Sequence, residues 1–354
     1  MPMNRRQFLT AVGASSVAIA GCAQTETDIP GLEPERELWS FRAADKKRIS
    51  TTPAVRDGQV YVGSNDHNVY ALAADTGRES WQFETNGDIR SSPAISDGTL
   101  YIGSLDGHLY ALRLDGTERW SVKTGNKVYA SPTVTADRVL IGSRDSYLYA
   151  LKSDHGESVW RTRIGGVIRS KPTVDSGTVY IGGGDGDLVK LHRDDGTIEW
   201  RAPTEGRVSV TPAVIDDRVL FADHGGCVYV VSRSDGEPLW TKELSEGVAS
   251  SPTVHEGTVY FGSWDTKIYA VDLDTGAVEW EVDAYGHVSS SPTIVDGVLY
   301  IGDSWGIVYA LDPQTGEAYW RFETENAVNS SPTIVDGVAY IASNDGHVYA
   351  LDVT

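Results

Sequence analysis

Apolar and polar residues alternate with a period of two along most of this chain, in short runs separated by glycine-bearing turns. No helical spacing of apolar residues occurs beyond the N-terminal segment. Val288-Ser-Ser-Ser-Pro-Thr-Ile-Val295 predicts a first strand, Asp296-Gly297 a hairpin turn, and Val298-Leu-Tyr-Ile-Gly302 a second strand. A turn over Asp303 to Gly306 leads into a third strand, Ile307-Val-Tyr-Ala-Leu311, and Thr315-Gly316 turns the chain into a fourth around Trp320. The same order recurs about every 40 residues. It predicts an all-β fold, a β-propeller whose blades are four-stranded antiparallel sheets.

Counting sets the size of the ring. The first-strand prolines are Pro53, Pro93, Pro132, Pro172, Pro212, Pro252, Pro292 and Pro332, and the fourth-strand tryptophans are Trp39, Trp81, Trp120, Trp160, Trp200, Trp240, Trp280 and Trp320. The last repeat stops at Ala350-Leu-Asp-Val-Thr354 with no tryptophan, while Glu37-Leu-Trp39-Ser-Phe41 is a fourth strand with no repeat before it. We therefore expect an eight-bladed propeller over residues 38–354, closed by the N-terminal strand beside Tyr349 to Asp352.

The unit Ala270-Val-Asp-Leu-Asp-Thr-Gly-Ala-Val-Glu-Trp280 recurs at Ala71 to Trp81, Ala150 to Trp160, Lys190 to Trp200, Val230 to Trp240 and Ala310 to Trp320, with a copy one residue shorter at Ala111 to Trp120. This pattern resembles the tryptophan-docking motif of the pyrroloquinoline-quinone (PQQ) repeat propellers, and the resemblance covers the chain from Leu38 to Thr354. It implies the fold and leaves the cofactor open. Propellers of this repeat include quinone-dependent dehydrogenases and non-enzymatic scaffolds such as the propeller lipoprotein of the bacterial outer-membrane β-barrel assembly machine. Each docking tryptophan is expected to wedge between blades against the alanine and turn glycine of a neighbouring repeat. Trp264 and Trp305 fall outside this register.

At the start of the chain, Asn4-Arg5-Arg6-Gln7-Phe8-Leu9 precedes a mildly apolar run to Ile19 and then Ala20-Gly21-Cys22. Twin arginines followed by Phe-Leu resemble a Tat export signal, and small residues before a cysteine resemble a lipobox. Residues 1–22 are thus expected to be a signal peptide and Cys22 the lipidation site. The run falls short of the roughly 20 apolar residues that span a membrane, so the expected anchor is lipid on the extracellular face of the cell membrane. Residues 23–37 lack periodicity and are expected to form a flexible tether. With Cys22 lipidated, Cys227 has no partner in the chain and no disulfide framework is expected.

Charge narrows the partners. A formal net charge of −20, more aspartate than glutamate and more arginine than lysine resemble the composition of proteins from halophilic archaea. Such a surface argues against nucleic acid and against anionic membrane faces. Parity on the first strand then sorts candidate ligand residues. In Ile89-Arg-Ser-Ser-Pro-Ala-Ile95 one set is Ile89, Ser91, Pro93 and Ile95, expected to pack between sheets, and the other is Arg90, Ser92 and Ala94, expected to face the axial channel. Across the repeats, the channel positions are small or neutral except on consecutive blades two to four, which present Arg90, Tyr129, Arg169 and Lys171. Three cations around a tyrosine suit an anion or an acidic peptide segment. Turns between second and third strands should share that mouth, and Trp264 with Trp305 there would offer an apolar contact to a partner. His67, His108, His347 and Asp185-Gly186-Asp187 lack ligand spacing, so no metal site is expected.

The chain has no adjacent cysteine pair, which the resemblance to quinone-dependent dehydrogenases would require, and no long insertions between repeats to build a deep cofactor pocket. No nucleophile and base pair is recognisable. The expected function is a non-catalytic, monomeric, lipid-anchored scaffold that binds a protein partner and needs no cofactor. The alternatives are a PQQ-dependent dehydrogenase and capture of a small anionic ligand in the channel.

Overall fold

The period-two runs form eight antiparallel sheets of four strands each. The computed structural model describes residues 29–354, and the propeller is the unit Gly31–Thr354. Blades are numbered here in the order of their first-strand prolines. Blade 7, for example, comprises Thr293–Val295, Val298–Gly302, Ile307–Leu311 and Ala318–Glu323. Second and third strands are buried on both faces, because each sheet is covered by the next. Thus Tyr300, Val308 and Trp320 of blade 7 share one core with Ala339, Ile341 and Leu351 of blade 8.

The first strands are shorter than the expected Val288–Val295: in blade 7 only Thr293–Val295 pairs within the sheet. The residues before it bond sideways, to the neighbouring blades. The Thr52 N–H donates to Ser92 Oγ and the Ser92 N–H to Ser131 Oγ, both at 2.9 Å. On the far side Thr211 donates to Ser251 and Ser251 to Ser291 at 2.9 Å, Ser291 to Ser331 at 3.2 Å, and Ser331 back to Thr52 Oγ1 at 3.2 Å. Threonines after the prolines complete the belt: Thr293 Oγ1 donates to the Pro332 carbonyl at 2.8 Å and Thr333 Oγ1 to the Pro53 carbonyl at 2.7 Å. Proline lacks an N–H, so its carbonyl can be shared with the next blade while no donor is stranded. The expected parity holds, with Ile89, Ser91 and Pro93 buried and Arg90 exposed.

Docking of the tryptophans differs from expectation in one respect. The alanine of each unit lies on the tryptophan's own blade, where register sets Ala270 opposite Trp280 and Ala310 opposite Trp320. The glycine comes from the next blade. Trp200 donates its indole N–H to the Arg233 carbonyl at 3.2 Å and lies beneath Gly236, where an added Cβ would come within 2.8 Å of the ring. At φ +78° that glycine is required twice, by conformation and by space.

The ring closes as expected. Glu37–Arg42 pairs antiparallel with His347–Asp352, setting Trp39 opposite Ala350 and Phe41 opposite Val348. The expected tether over 23–37 is corrected in its last residues, which are bound to the propeller. Leu32 bridges to Arg321, and the Arg321 N–H donates to the Gly31 carbonyl at 2.7 Å. The turn Pro34–Arg36 then lays the Arg36 guanidinium over Trp320 at 4.8 Å, where the other tryptophans have a turn glycine. The expected signal segment 1–22, with Cys22, and residues 23–28 lie outside the described residues.

Candidate ligand-binding face

Each turn between second and third strands bonds to the segment leading into its own blade's first strand. The Arg144 N–H donates to the Lys127 carbonyl and the His224 N–H to the Arg207 carbonyl at 3.0 Å, and Trp264 donates to Gly247 at 2.9 Å. Lead segments and turns therefore share one mouth of the channel.

At this mouth a cluster forms around Tyr129. Three guanidinium carbons lie over its ring: Arg169 at 5.1 Å, Arg144 at 5.4 Å and Arg90 at 5.6 Å from the centroid. Arg90 also meets the rim carboxylate Asp88 at 3.7 Å, and His67 meets the same carboxylate at 3.3 Å. Among the described residues Arg144, Arg169, Arg207 and Lys171 form no ion pair. Burial, followed by repulsion from Arg207, Arg144 and Arg90, lowers the pKa of Arg169. Cation–π contacts of about 0.5–1 kcal/mol each hold the guanidiniums in place without neutralising them.

Arg207 extends the cluster towards blade 6. Its Nη2 lies 3.3 Å from His224 Nδ1, and its buried Nε has no hydrogen-bond partner. An arginine only donates, so His224 Nδ1 accepts and its Nε2–H donates to Ser209 Oγ. Burial, then the neighbouring Arg207 and Arg169, push the His224 pKa down to about 4. Its ring meets Trp264 edge-on at 4.8 Å, and the Trp264 indole N–H donates to Ser289 Oγ at 3.0 Å.

The structure thus brings Arg90, Tyr129 and Arg169 together as parity predicted, with Arg144 and Arg207 added from a turn and a lead segment. Lys171 stands apart, two residues further along its first strand, at a position of the serine and threonine belt. Lys171 is exposed, and desolvation by the surrounding protein lowers the pKa of its ammonium. The two tryptophans differ. Trp264 is half-buried within the polar cluster, whereas Trp305 is 52% exposed beside Tyr285, itself 38% exposed.

An open polar groove of about 580 Å³ adjoins the cluster at blade 1, between Lys46, Lys47 and Arg48 on one side and His67 and Asp88 on the other. Among the described residues no three His, Cys, Asp or Glu side chains are grouped to hold a metal ion. The mouth offers cations to an anionic quinone but no carboxylate set for an accompanying metal, so the residues do not fit a metal-assisted quinone site. The sequence carries a signal for the cluster in its charge distribution: beyond residue 250 the only lysine or arginine side chains are Lys267 and Arg321.

The fold is shared with solved structures of different character. BamB from Moraxella catarrhalis matches at 22% identity and a TM-score of 0.77, covering 89% of this chain and 99% of that one. The quinohemoprotein alcohol dehydrogenase from Comamonas testosteroni matches at 18% identity and a TM-score of 0.78, over 93% of this chain and 78% of that one. Saccharomyces cerevisiae Sqt1 matches at 11% identity and a TM-score of 0.79, over 90% and 99%. At such identities the likeness is one of fold. No curated protein sequence matches the chain. The repeat profile described as outer membrane protein assembly factor BamB matches residues 26–127, 106–223, 203–316 and 265–354, and with its docking tryptophans in register along that span the chain belongs to this PQQ-type repeat family.

Proposed function

We propose that this propeller is a non-catalytic scaffold, held by lipid on Cys22 at the extracellular face of the cell membrane, that grips an acidic segment of a protein partner through the arginine mouth. The observation that carries the reading is the cluster of Arg90, Arg144, Arg169 and Arg207 around Tyr129 and His224, of which only Arg90 has a carboxylate partner in a chain of net charge −20. Like charges held together without counter-ions bind an incoming carboxylate at about 1.5–3 kcal/mol per charge-assisted contact. Membership of a family named for an assembly factor supports protein binding, and the scaffold requires no cofactor. The aromatic pair Tyr285 and Trp305 on the same face supplies apolar contact.

Capture of partners from solubilised membranes tests this reading. The wild-type chain should retain a partner that the Arg90→Ala, Arg169→Ala double variant loses while keeping its melting curve, and Cys22→Ser should leave the membrane fraction. Undiminished capture by the folded double variant would overturn the mouth as the binding site. A redox-active quinone spectrum in the purified protein would favour the dehydrogenase reading instead.

A further inference from the structure

The belt of N–H to hydroxyl bonds around the axis is interrupted at one place. Six of its eight links are made, through Thr52, Ser92, Ser131, Thr211, Ser251, Ser291 and Ser331. The missing two both involve blade 4, where Lys171 stands in place of serine or threonine. A lysine ammonium cannot accept a hydrogen bond. The Ser131 N–H therefore finds no acceptor across the blade boundary, and the Lys171 N–H makes no bond to Thr211. The neighbouring Ser170 departs from its equivalents as well. Thr51 and Ser330 bond to their own second strands, at the Gly63 and Ala342 carbonyls, whereas Ser170 Oγ donates across to the Val210 carbonyl of blade 5.

At this gap the Lys171 ammonium and two backbone N–H groups lack an acceptor, and the Thr211 hydroxyl, which can donate or accept, lacks the donor its equivalents have. Donors without a protein acceptor are left to water, and water alone leaves the ammonium's charge uncompensated. Among the described residues Lys171 pairs with no carboxylate, and Arg169 stands two residues before it in the chain. We propose that the break at blade 4 is a seat for one compact oxyanion, a sulfate, phosphate or carboxylate group, which enters past the arginines and is held by the Lys171 ammonium with the Ser131 N–H that the belt directs at this position. This seat does not depend on the partner reading above. Its oxyanion is either a free ion or the end of an acidic side chain.

Inorganic sulfate, titrated into the full chain by calorimetry at constant ionic strength, tests it. Lys171→Ser supplies the missing acceptor and should stay folded, and Lys171→Met keeps the stem while removing the charge. Sulfate affinity should fall at least tenfold in both, while Lys171→Arg stays within a few-fold of wild type. Sulfate binding that is absent in the wild type, or unchanged in both Lys171→Ser and Lys171→Met, would overturn the seat. An aspartate-rich peptide in the same titrations separates the sources: weakened by Lys171→Ser, it places an acidic side chain in the seat, and if only sulfate is affected the occupant is a free ion. Sulfate binding lost through Lys171 with capture indifferent to Arg90 and Arg169 leaves the seat standing and the partner reading refuted; the converse leaves only the mouth.

Discussion

His224 is the residue through which pH reaches the mouth. Its Nδ1 faces the Arg207 guanidinium, so protonation would direct an N–H at another donor, and burial adds to the penalty. The folded pKa of about 4 lies below the ordinary 6.5. The unfolded chain therefore binds the proton more readily, and the stability held by neutral His224 is fully present above about pH 6.5 and lost as pH falls towards 4. Urea unfolding across this window should show a steeper decline for wild type than for His224→Gln, whose amide is not titratable. Parallel declines would show that carboxylates elsewhere dominate the window. Asp223 is the nearest opposing charge and, buried itself, accepts bonds from the Gly206, Gly225 and Cys227 N–H groups.

At the scale of the element, the turn between second and third strands needs one carboxylate, and the chain supplies it from either of two places. In blades 1, 2, 3, 6 and 8 it is the third turn residue, as where Asp106 accepts from Tyr110 at 2.8 Å and Asp345 from Tyr349 at 2.8 Å. Blades 5 and 7 move it to the first turn residue. Asp303 accepts from Tyr309 Oη at 2.7 Å and from the N–H groups of Tyr285, Gly286, Trp305 and Ile307 at 2.9–3.1 Å. This relocation is what releases position 305 for an exposed tryptophan. Asp303→Ser should destabilise by on the order of 3 kcal/mol, because several enclosed donors lose their acceptor. Adding Trp305→Asp should restore most of that loss by recreating the arrangement of the other blades. Equal melting midpoints for single and double variants would show that the two positions do not substitute for one another.

For the whole molecule, closure and charge matter most. The strand Glu37–Arg42 covers the edge of blade 8, and Trp39 crosses to blade 1 through its bond to the Ala74 carbonyl at 2.9 Å. Deleting residues 38–42 removes both contacts and should lower the melting temperature sharply and promote association through the exposed edge, read by calorimetry and light scattering. An unchanged melting curve would mean that the inner belt, from Ser331 to Thr52, closes the ring unaided. The blades are also unlike in charge. Basic residues gather in blades 1 to 5, while blades 6 to 8 carry only Lys267, Arg321 and the closing strand's Arg42, so the face that presents arginine on one side presents Tyr285 and Trp305 on the other.

The amino-acid sequence by itself determined the all-β class, the blade count, the closing strand and the pairing of turn chemistry with tryptophan. These depend on residues close together in the chain and repeated in register. Strand parity likewise placed Arg90, Tyr129 and Arg169 on one side, because a period of two survives even where the ladder is short. Tertiary structure alone decided the rest. Arg144 and Arg207 join Tyr129 from a turn and a lead segment on different blades, a meeting set by the curvature of the ring. The first strands begin late because the N–H groups before them bond across blades, and only that sideways register shows that Lys171 interrupts a belt. Leu32 and Arg36 carry no periodic signal, yet they are held on the propeller because Arg321 and Trp320 of blade 7 lie open to them where the ring closes.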